Sequence, residues 1–169
     1  MYKGRLKVAK RAVFCYCDIM NIEAIIKGRI AEHLVEFLLQ ESGYRVVRIA
    51  QEGLLLGVAR GDIVKLKNPK SNERVLLAPS FAIFDKKGTM FKLIKVRYRG
   101  IRSRGGNVAS GFIQLQRYWP EALLVVVTQQ GPYFGVMVGK EEQVSIEKIF
   151  TLIKKETLSL FKERARSLL

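Results

Sequence analysis

Apolar positions along this chain recur first at a three-to-four-residue spacing, then in short strand-like runs, and again at helical spacing near the C-terminus. Ile22, Ile25, Ile26, Ile30, Leu34, Phe37 and Leu38 make one helical stripe, with Asn21 placed to cap the helix and Gly43 to stop it. Val46, Val47 and Ile49 predict a strand over 44–50. Two further strands are expected at 75–85 and 90–98, joined by the turn Lys86-Lys87-Gly88-Thr89, so that 80–85 and 91–98 pair antiparallel. A short helix over 110–119 ends at Pro120, and the continuous apolar run 122–128 predicts a strand covered on both faces. Gly131-Pro132 turns the chain into a fifth strand at 133–138. Ser145 is placed to cap a last helix reaching about Arg166, with Ile146, Ile149, Phe150, Ile153, Leu160 and Phe161 on one side. Between Gln51 and Asn72 the pattern is mixed: Leu54-Leu55-Leu56 and Ile63-Val64 suggest short helices, and Asn68-Pro69-Lys70-Ser71-Asn72 a turn. The sum is an α/β chain with a central mixed sheet flanked by helices, read as one domain over 1–169 with a core at about 21–139 and an extra C-terminal helix at about 146–166.

Charge changes the picture more than length does. Thirty Lys plus Arg against fifteen Asp plus Glu give a net charge of +15, which draws the protein to polyanions. The charge is also clustered: from Lys86 to Pro120 there are nine basic residues and no acidic one, whereas a solvated face ordinarily mixes both signs. Lys95, Arg97 and Arg99 fall at i, i+2 and i+4 of a strand, hence on one face, and Arg102 and Arg104 follow beside Gly105-Gly106, where backbone can approach a phosphate closely. Nucleic acid is the expected partner, with DNA favoured over RNA, and Tyr118 or Trp119 are the aromatics placed to stack on bases.

Other chemistry is sparse. Cys15 and Cys17 have no second pair to complete a disulfide framework or a zinc site, and His33 is the only histidine. The apolar run 12–17 is short and ends at Asp18, a poor signal peptide, and no stretch approaches the roughly 18 apolar residues of a membrane span. A soluble, cytoplasmic protein with no membrane partner is the expectation.

The order helix, strand, two-stranded hairpin, helix, strand resembles the αβββαβ core of the PD-(D/E)xK superfamily, the restriction-endonuclease-like fold, over about 21–139. Lys27-Gly28-Arg29-Ile30-Ala31-Glu32 is similar to the first-helix signature of its Holliday-junction-resolvase-like branch, where a glutamate contributes to a metal site, and Glu32 matches that glutamate. Pro79 matches the proline of the second motif, and Gln114 or Gln116, with Tyr118, falls where many members carry polar residues on the helix after the hairpin. The chain departs from the pattern where it matters chemically: Ser80 stands at the family's aspartate, Lys95 at its glutamate and Arg97 at its lysine. Mg²⁺ requires hard oxygen ligands, which Ser80 supplies poorly and Lys95 repels. The resemblance therefore implies a degenerate active site with no confident catalytic residue, no metal and no cofactor, in which Lys95 pairs with Glu32.

Three functions follow as expectations. The first is a non-catalytic nucleic-acid-binding protein that holds phosphates through Lys95, Arg97, Arg99, Arg102 and Arg104, with Gln114 and Tyr118 beside them. The second is a Mg²⁺-dependent endonuclease with relocated carboxylates drawn from Glu32, Glu36, Glu52 or Asp62; Asp85 lies on the wrong strand face for that role. The third is a scaffold subunit that pairs through its C-terminal helix, as in a homodimer.

Overall fold

The hairpin anchors the architecture. In a computed structural model that describes residues 14–49, 74, 77–100, 108–140 and 142–169, β2 (Phe81–Phe84) and β3 (Phe91–Arg99) pair antiparallel with Phe81 opposite Ile94. Gly88, at φ +70°, makes the turn between them, and its N–H reaches Asp85 O at 3.1 Å. The Asp85 carboxylate accepts from the Thr89 hydroxyl and the Met90 N–H, and these bonds hold its pKa below the ordinary value. Asp85 thus stabilises the turn.

Around the hairpin, α1 (Phe14–Glu41) and β1 (Arg45–Arg48) come first, with β1 antiparallel to β2. After β3, α2 (Val108–Tyr118) leads to β4 (Ala122–Thr128), which runs parallel to β3. Then β5 (Phe134–Met137) and β6 (Gln143–Ser145) add antiparallel strands, giving a six-stranded mixed open sheet in the order β1 to β6. Two helices close the chain, α3 (Ile146–Ile149) and α4 (Lys155–Leu168). No helix among the described residues is long and apolar enough to cross a membrane.

Each sheet face has its own core. On one, Ile94, Val96, Val125 and Val127 pack with α1 residues Leu34, Val35 and Leu38 and with Phe150, Phe161 and Ala165 near the C-terminus. On the other, Leu124, Val126 and Met137 pack with Leu115 of α2. This two-sided cover explains why β4 reads as one apolar run: Val125 and Val127 serve one core, Leu124 and Val126 the other.

Four expectations need correction. Asn21 is no cap, since α1 is already helical from Phe14, and no Gly or Pro falls between Phe14 and Gly28. Of the expected stripe, Leu34 and Leu38 are buried and Ile30 partly so, joined inside by Ala31, Val35 and Leu39, while Ile22, Ile25, Ile26 and Phe37 stay 50% or more exposed. Apolar residues lie on two overlapping faces of this helix, and only one meets the sheet. The second strand begins at Phe81, not at 75, because Pro79 has no N–H to extend the ladder. The C-terminal helix is broken. Ser145 occupies the cap position of α3 but turns its hydroxyl to Glu147, and α3 ends at Phe150, with φ −110° and ψ 82°. Phe150 and Ile153 are both buried, and the Tyr44 hydroxyl takes the Leu152 N–H at 3.1 Å, so tertiary packing outweighs the helical pattern. The strand β6, with a single apolar residue in three, gave no periodic signal. The stretch 51–72 lies outside the described residues.

The β1 edge is tied to α1 by a near-buried carboxylate. Arg48 donates through Nε to both Glu36 oxygens at 3.0 Å and through Nη2 to Oε2, while the same Nη2 lies 2.9 Å from His33 Nδ1. Glu36→Ala should cost about 2–3 kcal/mol in a urea melt, less than a fully buried pair because the Arg48 side chain keeps 33% of its exposure. An unchanged midpoint would show that the pair adds nothing to stability.

Candidate functional site

Ser80 sits where β2 and β3 begin to separate. Its N–H donates to Ile94 O at 2.7 Å, and its hydroxyl oxygen accepts the Val96 N–H at 3.3 Å, taking the place of a backbone carbonyl in the ladder. The hydroxyl proton goes to Glu32 Oε1 at 2.9 Å, so the residue matched to a motif glutamate and the residue matched to a motif aspartate do meet. Ser80 is buried, at 5% exposure. Arg29, one turn earlier on α1, donates to Glu32 Oε2 at 3.0 Å. Sequence reasoning passed over Arg29, although its i,i+3 spacing to Glu32 within the quoted helix signature was the available signal.

Lys95 stands beside this pair. Extending the β2–β3 register by one residue sets it across from Ser80, and its ammonium donates to Ala78 O at 3.0 Å. Burial pulls its pKa down to about 8; the Glu32 carboxylate pulls the other way, and the Arg97 and Arg29 guanidinium groups add to the lowering. Glu32 therefore acts on Lys95 through its field while holding Arg29 as an ion-pair partner.

These groups do not fit a divalent cation. Both Glu32 oxygens already accept protons from donors, and an entering ion would face Lys95, Arg29 and Arg97 together. Among the described residues no three metal-ligating side chains converge. Glu36 is committed to Arg48, and Glu52 and Asp62 lie outside the described residues.

The basic row leads away from this point. Alternation along β3 buries Ile94 and Val96 on the α1 face and leaves Lys95 half-buried and Arg97 and Arg99 exposed on the α2 face, level with Leu124, Val126 and Thr128 of β4. Arg97 lies against the α2 backbone: a Cβ on Gly111 would collide with its guanidinium, so the glycine forms the seat. Gln114 and Tyr118 follow Gly111 at helical spacing, with Gln114 exposed and Arg117 lying 5.8 Å from the Tyr118 ring centre. Gln116 is structural, donating to Ala122 O at 2.7 Å. Trp119 packs against the α2-side core, with the Arg74 guanidinium 5.5 Å from its ring. Arg102 and Arg104 lie outside the described residues.

Comparison with protein-family models, with curated proteins and with solved structures gave no match.

Proposed function

We propose that the protein binds the phosphate backbone of nucleic acid, DNA before RNA, without cutting it, on a fold related to the PD-(D/E)xK nucleases. The observation that carries this reading is the exposed Arg97–Arg99 row, with Arg97 seated on Gly111 and Lys95 continuing it inward, within a 35-residue stretch that has no acid. Guanidinium groups held at strand spacing suit phosphate oxygens, and contacts of that kind set affinity without reading sequence. The element order α1-β1-β2-β3-α2-β4, with β1 to β3 antiparallel and β4 parallel to β3, supports the nuclease kinship. So does the meeting of Glu32 with Ser80. The loss of catalysis follows from Lys95, whose position repels the ion that such a nuclease needs.

Fluorescence anisotropy with labelled duplex and single-stranded oligonucleotides tests the binding, and electrophoresis of the same samples with Mg²⁺ or Mn²⁺ tests for cleavage. Binding with intact oligonucleotide is expected. Robust cutting that Glu32→Ala abolishes would replace this reading with an active nuclease.

A further inference from the structure

The α2 face of the sheet continues past Arg99 into an open cleft of about 280 Å³ at the carboxyl ends of the parallel strands β3 and β4. Val126 forms its floor, Arg99 and Thr128 one side, and Gln129, Gln130 and Gln143 most of the polar remainder. Two features show that the cleft is built. The Thr128 hydroxyl ties the adjoining loop through Gln130 O and, at 2.9 Å, Pro132 O. Gln143 lies across Gly135, where any Cβ would collide with its side-chain amide.

The lining selects the ligand. Among the described residues of the lining, Arg99 is the only charged side chain and the rest are amides, a hydroxyl, glycines, a proline and a valine. The Gln130 and Gln143 carboxamides, each with a donor and an acceptor in one plane, match the edge of a nucleobase, while Gln129 turns its amide nitrogen to Arg166 O at 3.4 Å. Because Arg99 belongs both to the phosphate row and to the cleft, a nucleotide whose phosphate meets Arg99 has its base within reach of the glutamines.

We propose that this cleft receives a single unpaired base, so that the protein prefers nucleic acid carrying an extrahelical nucleotide over a fully paired duplex. The inference rests on the phosphate-binding reading and deepens it. The test compares three labelled duplexes by anisotropy: one fully paired, one with a single unpaired adenine, and one with an abasic residue at that same position. The unpaired adenine should bind about tenfold more tightly than the other two, the range expected of one well-made amide-to-base contact. Gln143→Ala and, separately, Gln130→Ala should erase most of that preference and leave affinity for the paired duplex and its salt dependence unchanged. Both glutamines are exposed, so neither change threatens the core. Equal affinity for all three duplexes, with salt-dependent binding intact, would overturn the base subsite alone. Failure to bind any of them would overturn the phosphate-binding reading and this inference with it.

Discussion

Lys95→Met should raise the melting temperature at pH 7 by about 4–8 °C, corresponding to about 2 kcal/mol for a chain of this size. The folded state holds the Lys95 ammonium at about 8 against an ordinary 10.5, chiefly by burial. A displacement of that size corresponds to about 3 kcal/mol, trimmed to about 2 because the side chain is only half-buried. The sign is that of a depressed pKa. The favourable contribution is complete above 10.5, where the amine is neutral in both states, and it is lost as pH falls through about 8 and the folded protein must carry the charge. Between those limits the unfolded chain binds more protons, so the wild type gains stability with rising pH while the variant does not. The gap between them should close near pH 10.5. A Lys95→Met protein less stable than wild type at pH 7 would mean that the amine's bond to Ala78 and the field of Glu32 outweigh its burial.

Arg97→Ala with Arg99→Ala should weaken binding to a random-sequence duplex by about 30- to 100-fold at 0.1 M salt, as two charge-assisted contacts are lost. The log–log salt slope should become shallower by about 2, since each phosphate left unneutralised retains its counterion. Loss should be uniform across sequences, because the row addresses phosphates. Both side chains are exposed and neither belongs to a core cluster, so folding should be unaffected. A double variant that binds as wild type would move the interface elsewhere on this basic surface.

The strand-period parts of this fold were legible in the sequence. The hairpin, the β4 run and α2 lie where apolar alternation, the Lys-Gly turn and Pro120 put them, because local pattern and tertiary burial agree there. Legibility failed where tertiary contacts decide. Two apolar stripes compete on α1, and nothing local says that Leu34 and Leu38 go inside while Ile22, Ile25 and Ile26 do not. Phe150 and Ile153 continue a helical pattern whose helix is broken so that both can be buried. At the site, the same-face placement of Lys95, Arg97 and Arg99 followed from strand period alone, whereas the Glu32–Ser80 contact was not anticipated. The expected direct pairing of Lys95 with Glu32 emerges as an influence through the field, since Glu32 is bonded to Arg29 and Ser80. Arg29, the Gly111 seat and the glutamine-lined cleft were missed: Arg97 meets Gly111, and Gln143 meets Gly135, only once the sheet is assembled.

The salt dependence of duplex binding by the wild-type protein tests the central claim most directly. If Lys95, Arg97, Arg99, Arg102 and Arg104 each neutralise a phosphate, the logarithm of the binding constant should fall against the logarithm of salt concentration with a slope of about −4 to −5, whatever the sequence of the duplex. A slope near zero, or no binding even at about 0.025 M salt, would contradict a phosphate-binding function for this protein.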